Sequence, residues 1–185
     1  MLRSLFARRP AASDPALFWT PPGTTVVQRY RNTLGPLEGA VVLVYTSAGD
    51  RSSSYAAACL GCTYRAARND RRARLGETEA ADLANEHAAH CRAIHRGLPA
   101  IPDDDTAAQI VLSRLRSLRP YGPSPYAVHL TDFLEDRVDL QRDDDLVKQV
   151  MFEIARTESA FLKTEPAYSG STGTRFLLQP PPPRK

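Results

Sequence analysis

Lysine is nearly missing from this chain. Of 24 basic residues, only Lys148, Lys163 and Lys185 are lysines and the rest are arginine. Arginine carries a planar fork of donors suited to phosphate and carboxylate. Cysteine is scarce as well, with three residues, at 59, 62 and 91. An odd, small number excludes the paired framework of a disulfide-stapled secreted domain. No apolar run approaches the roughly 20 residues of a membrane-spanning helix, so no membrane partner is expected. The start, "MLRSLFARRPAAS", is basic but lacks the apolar block of a secretory signal. It reads as an irregular head, and the chain as cytoplasmic.

What is present suffices for a core. The chain has 185 residues, 42% of them hydrophobic, which fits one domain or one domain with a satellite. The formal charge of +3 hides an asymmetry: residues 1–75 hold eleven arginines against four acids, and residues 76–185 hold thirteen basic against seventeen acidic residues. An anionic partner on the N-terminal half is compatible with that split.

Hydrophobic patterning predicts an α+β fold. Two β-branched runs, 24–30 and 40–45, read as strands around a Gly/Pro turn, giving a small N-terminal hairpin or sheet. A short strand at 54–58 would deliver the chain to Cys59. Residues 77–97 read as a helix ending at Gly97, and 107–118, 126–138 and 145–162 as three further helices packed behind it. The expected division is an irregular segment 1–23, one body over 24–165 and a flexible Pro-rich tail over 166–185. A sub-boundary near 99–105 stays open, and "RFLL" at 175–178 is a strand candidate within the tail.

The chemistry concentrates in the cysteines. Cys59 and Cys62 form C-x2-C; twenty-four residues later His87 and Cys91 form H-x3-C. A tight turn presents two thiolates to one point. A helix presents two more donors from positions one turn apart, roughly 6 Å at the backbone. Zinc takes four such donors in a tetrahedron. A disulfide would strand Cys91, and a redox pair would need an apolar helix after the motif, where this chain has arginines. His95 also lies one turn from Cys91, so the choice between His87 and His95 for the fourth position stays open, with His87 preferred. Four strong donors leave no place for water, so the ion reads as structural.

"CLGC" followed by "ANEHAAHCRA" (84–93) resembles the small zinc-finger-like C-x-x-C…H-A-x-x-C-R-A segments of many actinobacterial proteins of unassigned role. The resemblance covers about residues 55–95. It implies a zinc-stabilised fold through Cys59, Cys62, His87 and Cys91, and implies no reaction.

Directly after the knuckle, Arg65, Arg68, Arg71, Arg72 and Arg74 form a basic run that reads as a nucleic-acid contact or as a solvated connection. Tyr55 and Tyr64 flank the knuckle and read as packing around the metal. The Asp runs before residues 106 and 146 read as helix caps rather than Mg²⁺ ligands. The leading function is a non-enzymatic zinc-finger-like protein that contacts DNA or RNA. The alternatives are a protein–protein adaptor with a purely structural zinc and an enzyme with an open zinc site.

Overall fold

The computed structural model of the chain describes residues 15–34, 37–48, 54–94, 96–167 and 173–182. The basic head, His95, most of the Ser/Gly-rich turn at 169–175 and the end of the Pro-rich tail lie outside these residues. The fold is α+β, with two antiparallel sheets.

The first sheet is a meander. Strands β1 (Thr24–Leu34), β2 (Leu37–Ser47), β3 (Tyr55–Cys59) and β4 (Arg65–Ala66) pair in the order β1-β2-β3-β4. The segment Ala40–Tyr45 in β2 is buried without exception. That uniformity follows from burial on both faces, which removes the polar half of a strand's alternation. Val41, Leu43 and Tyr45 face Leu134 and Val138, whereas Ala40, Val42 and Val44 face Ala80, Ala84 and Ala88.

Those three alanines, four apart, form the inner stripe of α1 (Glu77–His90). Alanine opposite Ala40 of β2 and Ala57 of β3 lets helix and sheet approach closely. At the N-terminal side, Ala16 is fully buried and Trp19 packs on the Leu43 face, while Phe18 points outward.

Helix α2 (Asp104–Leu118) starts where the Asp103 carboxylate accepts the Thr106 N–H at 2.7 Å. Helix α4 (Asp144–Thr157) starts under Asp143, which accepts the N–H groups of Asp145 and Leu146. The two Asp runs are therefore used as caps. Both helices pack with the second sheet, formed by β5 (Tyr126–Val128), β6 (Leu162–Pro166) and β7 (Thr174–Leu178) in the order β5-β7-β6. The strand candidate near residue 175 is thus a central strand.

Three elements differ from the pattern-based expectation. Helix α4 stops at Thr157 rather than at 162, because Leu162 opens β6 and pairs with Leu178 of β7. Residues 126–138 are not one helix but β5, a 3-10 segment Leu130–Asp136 and the short α3 (Arg137–Leu140). Tyr126–Val128 finds a strand partner in β7, and the Asp132 carboxylate accepts the His129 N–H, which pins the chain in a tighter turn. Helix α1 ends at His90 rather than near Gly97. Cys91 turns to an extended conformation, and Ala93 then accepts from the Ala40 N–H at 3.1 Å and the Asn32 amide at 3.2 Å. Hydrogen bonds to the sheet replace helical ones that the sequence pattern equally allowed.

Candidate metal centre

Cys59 closes β3, Cys62 lies three residues on in the turn to β4, His87 sits in the last turn of α1, and Cys91 caps that helix. The turn depends on its glycine. A methyl group at Gly61 would lie inside the Cβ of Ala40 and 2.9 Å from the Ile94 carbonyl, so the knuckle can rest on β2 only if residue 61 has no side chain. Cys91 remains hydrogen-bonded to His87 through its N–H, at 2.8 Å, although it has left the helix. The one-turn spacing expected between these two donors is therefore kept.

The four donor atoms all lie within 4.8 Å of one another. The Cys62 and Cys91 sulfurs are 3.9 Å apart, and the Cys62 sulfur is 3.4 Å from His87 Nε2. A tetrahedron with zinc–sulfur bonds of ~2.3 Å and zinc–nitrogen bonds of ~2.0 Å has edges of roughly 3.5–3.8 Å. A disulfide needs sulfurs at ~2.0 Å, and all three cysteines are free. The donor set can hold a metal ion, and its chemistry, three soft sulfurs with one imidazole, suits zinc. His95 lies outside the described residues.

Each sulfur also accepts a backbone N–H from two residues on. Gly61 donates to Cys59, Tyr64 to Cys62 and Ala93 to Cys91, each at 3.4 Å. Such donors favour negative charge on sulfur and fix the direction of each side chain. Burial pushes the Cys59 thiol up to about 12. A cation beside it would favour the thiolate at this buried position. Burial also lowers the tendency of His87 to protonate, which keeps its ring neutral and a lone pair free. The Tyr64 ring stacks on the His87 ring at 3.9 Å and 13°, setting the imidazole plane.

Arg65 serves the knuckle directly. Its Nη1 donates to the carbonyls of Cys59 (2.8 Å), Cys62 (3.2 Å) and Tyr64 (2.8 Å). Its Nε and Nη2 form a two-point pair with Asp139 in α3 at 2.9 and 2.6 Å. One guanidinium thus gathers the knuckle backbone and ties it to α3. We expect Arg65→Ala to weaken zinc affinity by roughly tenfold to a hundredfold, the usual cost of losing an outer support. Competition with a chromophoric chelator measures this; an unchanged affinity would show that the latch is dispensable.

The remaining arginines of the basic run divide in two. Arg68 and Arg74 reach the Asp132 carboxylate at 3.2 and 2.9 Å, and that carboxylate is fully enclosed. It also accepts from the Tyr126 hydroxyl at 3.0 Å. Arg71 and Arg72 are exposed and form no ion pair among the described residues. The run is not one uniform surface: Arg65 points into the fold, Arg68 and Arg74 are shared with Asp132, and two cations remain for solvent. Comparison with protein-family models, curated proteins and solved structures finds no match to this chain.

Sequence reasoning missed Asp132 and Asp139 as partners of this run. They stand 64 and 74 residues from Arg68 and Arg65. No local pattern announces a pairing at that separation. Tyr64 carried a usable signal, since an aromatic two residues past the second knuckle cysteine stands beside the site wherever the helix lands.

Proposed function

We propose that this chain is a non-enzymatic binding protein whose Cys59, Cys62, His87 and Cys91 hold a structural zinc ion, and whose outward-facing arginines meet nucleic acid. One observation carries the reading: three sulfurs and an imidazole converge within 4.8 Å, with each sulfur already supported by a backbone N–H. Four protein donors complete a tetrahedral shell, so the ion would lack the open position that catalytic zinc uses. The likeness of the C-x-x-C and H-A-x-x-C-R-A segments to those of bacterial zinc-finger-like proteins rests on the same four residues. Zinc thiolates persist where thiols stay reduced, which fits a cytoplasmic setting.

The test is elemental analysis of purified protein. One zinc per chain is expected, with metal lost on His87→Ala. A His87→Ala protein that stays folded but loses a turnover shown by the wild type would instead point to catalysis. A second reading, a protein-interaction adaptor, draws on Ile94, Leu98 and Ile101, which are 50, 39 and 71% exposed beyond the knuckle. Co-purification of one stoichiometric protein without nucleic acid would favour it.

A further inference from the structure

The loop between β4 and α1 presents Arg72 at an unusual angle. Arg72 has φ = 62°, in the left-handed region that favours glycine. Its backbone is pinned there: the Arg72 N–H donates to the Asn69 carbonyl at 2.8 Å, and its own carbonyl accepts from Arg68 Nη1 at 3.1 Å. The Asn69 side chain accepts from Arg71 and Ala73 at 3.1 and 3.0 Å. A residue with a Cβ in a left-handed position costs about 1 kcal/mol or more. No hydrogen bond or ion pair among the described residues uses that side chain.

Arg72 stands at the rim of a cleft of about 510 Å³ that also takes in Arg68, Arg114, Arg119, Tyr121 and Tyr126, with no carboxylate on its walls. Two of its cations are spoken for by acids: Arg114 pairs with Glu135 and Asp136, and Arg68 with Asp132. Arg119 donates to the carbonyls of Gln179 and Pro180 and lies over the Phe161 ring at 5.2 Å, with no acid partner among the described residues. Tyr121 is 96% exposed at the same place. A positive cleft with a free aromatic face matches a ligand that is negative along its backbone and flat in its side groups.

We propose that this cleft binds single-stranded nucleic acid, with Arg72 and Arg119 on phosphates and Tyr121 stacked on a base. The proposal rests on the nucleic-acid reading above and narrows it to strand type and residues. Only an unpaired strand can turn a base onto Tyr121, because a duplex offers its bases to one another and its phosphates to the protein. Stacking on any base is sequence-tolerant, which fits the lack of a base-reading helix.

The test is fluorescence anisotropy with labelled oligo-dT and oligo-U of about a dozen nucleotides, beside a duplex of the same length, at low and moderate salt. The wild-type protein should bind both single strands more tightly than duplex, and salt should weaken the binding. Arg72→Gly should lose roughly tenfold in affinity with a shallower salt slope, while its thermal stability stays equal or rises, since glycine relieves the backbone. Tyr121→Ala should lose about tenfold, and Tyr121→Phe should retain binding. Arg156→Ala, on the outer face of α4, serves as the charge control and should bind as wild type. Equal binding of duplex and single strand, indifferent to Tyr121, would overturn the cleft while leaving the broader nucleic-acid reading in place. Absence of any binding at low salt would overturn both.

Discussion

Stripping the zinc proposed for the Cys59, Cys62, His87 and Cys91 cluster is expected to lower the stability of the fold by on the order of 5 kcal/mol, with the loss falling first on α1. The contact between the first sheet and α1 is rich in alanine: Ala40 and Ala57, beside Val42 and Val44, on the strands, and Ala80, Ala84 and Ala88 on the helix. Alanine buries little area, so this contact has a weak hydrophobic driving force. The metal would supply what the alanines do not, joining the helix end to the β3 turn. The Ala107, Val111, Leu115, Phe133 and Met151 core on the other side of the molecule includes none of the four donors. Hydrogen exchange should therefore show α1 losing protection on chelation while α2 and α4 keep theirs. Cys91→Ala removes one donor from a half-buried position with little packing loss. That variant should match the stripped wild type, and chelator should change it no further. Full helix protection after chelation would show that the alanine contact stands without a metal.

The second large effect concerns Asp132, and its direction is not the obvious one. Removing both Arg68 and Arg74 is expected to cost about 3–5 kcal/mol, more than Asp132→Asn, for which about 1–3 kcal/mol is expected. The Asp132 side chain is enclosed, whereas Arg68 and Arg74 retain 34 and 35% exposure. Deleting the arginines leaves a buried carboxylate with only Tyr126 and the His129 N–H to solvate it. Deleting the carboxylate leaves two arginines that can turn into water. Denaturant unfolding of the two variants separates these cases; a larger loss for Asp132→Asn would mean that the carboxylate is the well-solvated partner. For the same reason Arg68 and Arg74 are poor choices for probing a ligand, and Arg71 and Arg72 are better ones.

The metal centre was legible in the sequence because its information is local. C-x2-C with a glycine inside is a turn, and H-x3-C is one helical turn, so each half of the site is set by a handful of neighbouring residues. The β-branched runs and the long amphipathic stretch of α4 were legible for the same reason. The segment 126–138 was not. Its pattern of Leu130, Phe133, Leu134 and Val138 serves a helix, yet Tyr126–Val128 pairs with β7 and Asp132 gathers donors from a loop some 60 residues earlier. Strand β7 was visible as the candidate "RFLL", whereas β6 was not, because it is short and acquires its partner only when the chain returns.

By itself, then, the sequence determined the α+β class, the caps at the two Asp runs and the pairing of C-x2-C with a helical cysteine and a histidine one turn from it, because backbone period and turn chemistry act over a few residues; that His87 joins Cys59, Cys62 and Cys91 in one cluster came from the fold. The tertiary structure decided where α1 stops, which arginines face inward and which acids meet them. It did so because a buried charge must find a partner wherever the fold supplies one, whatever the distance along the chain.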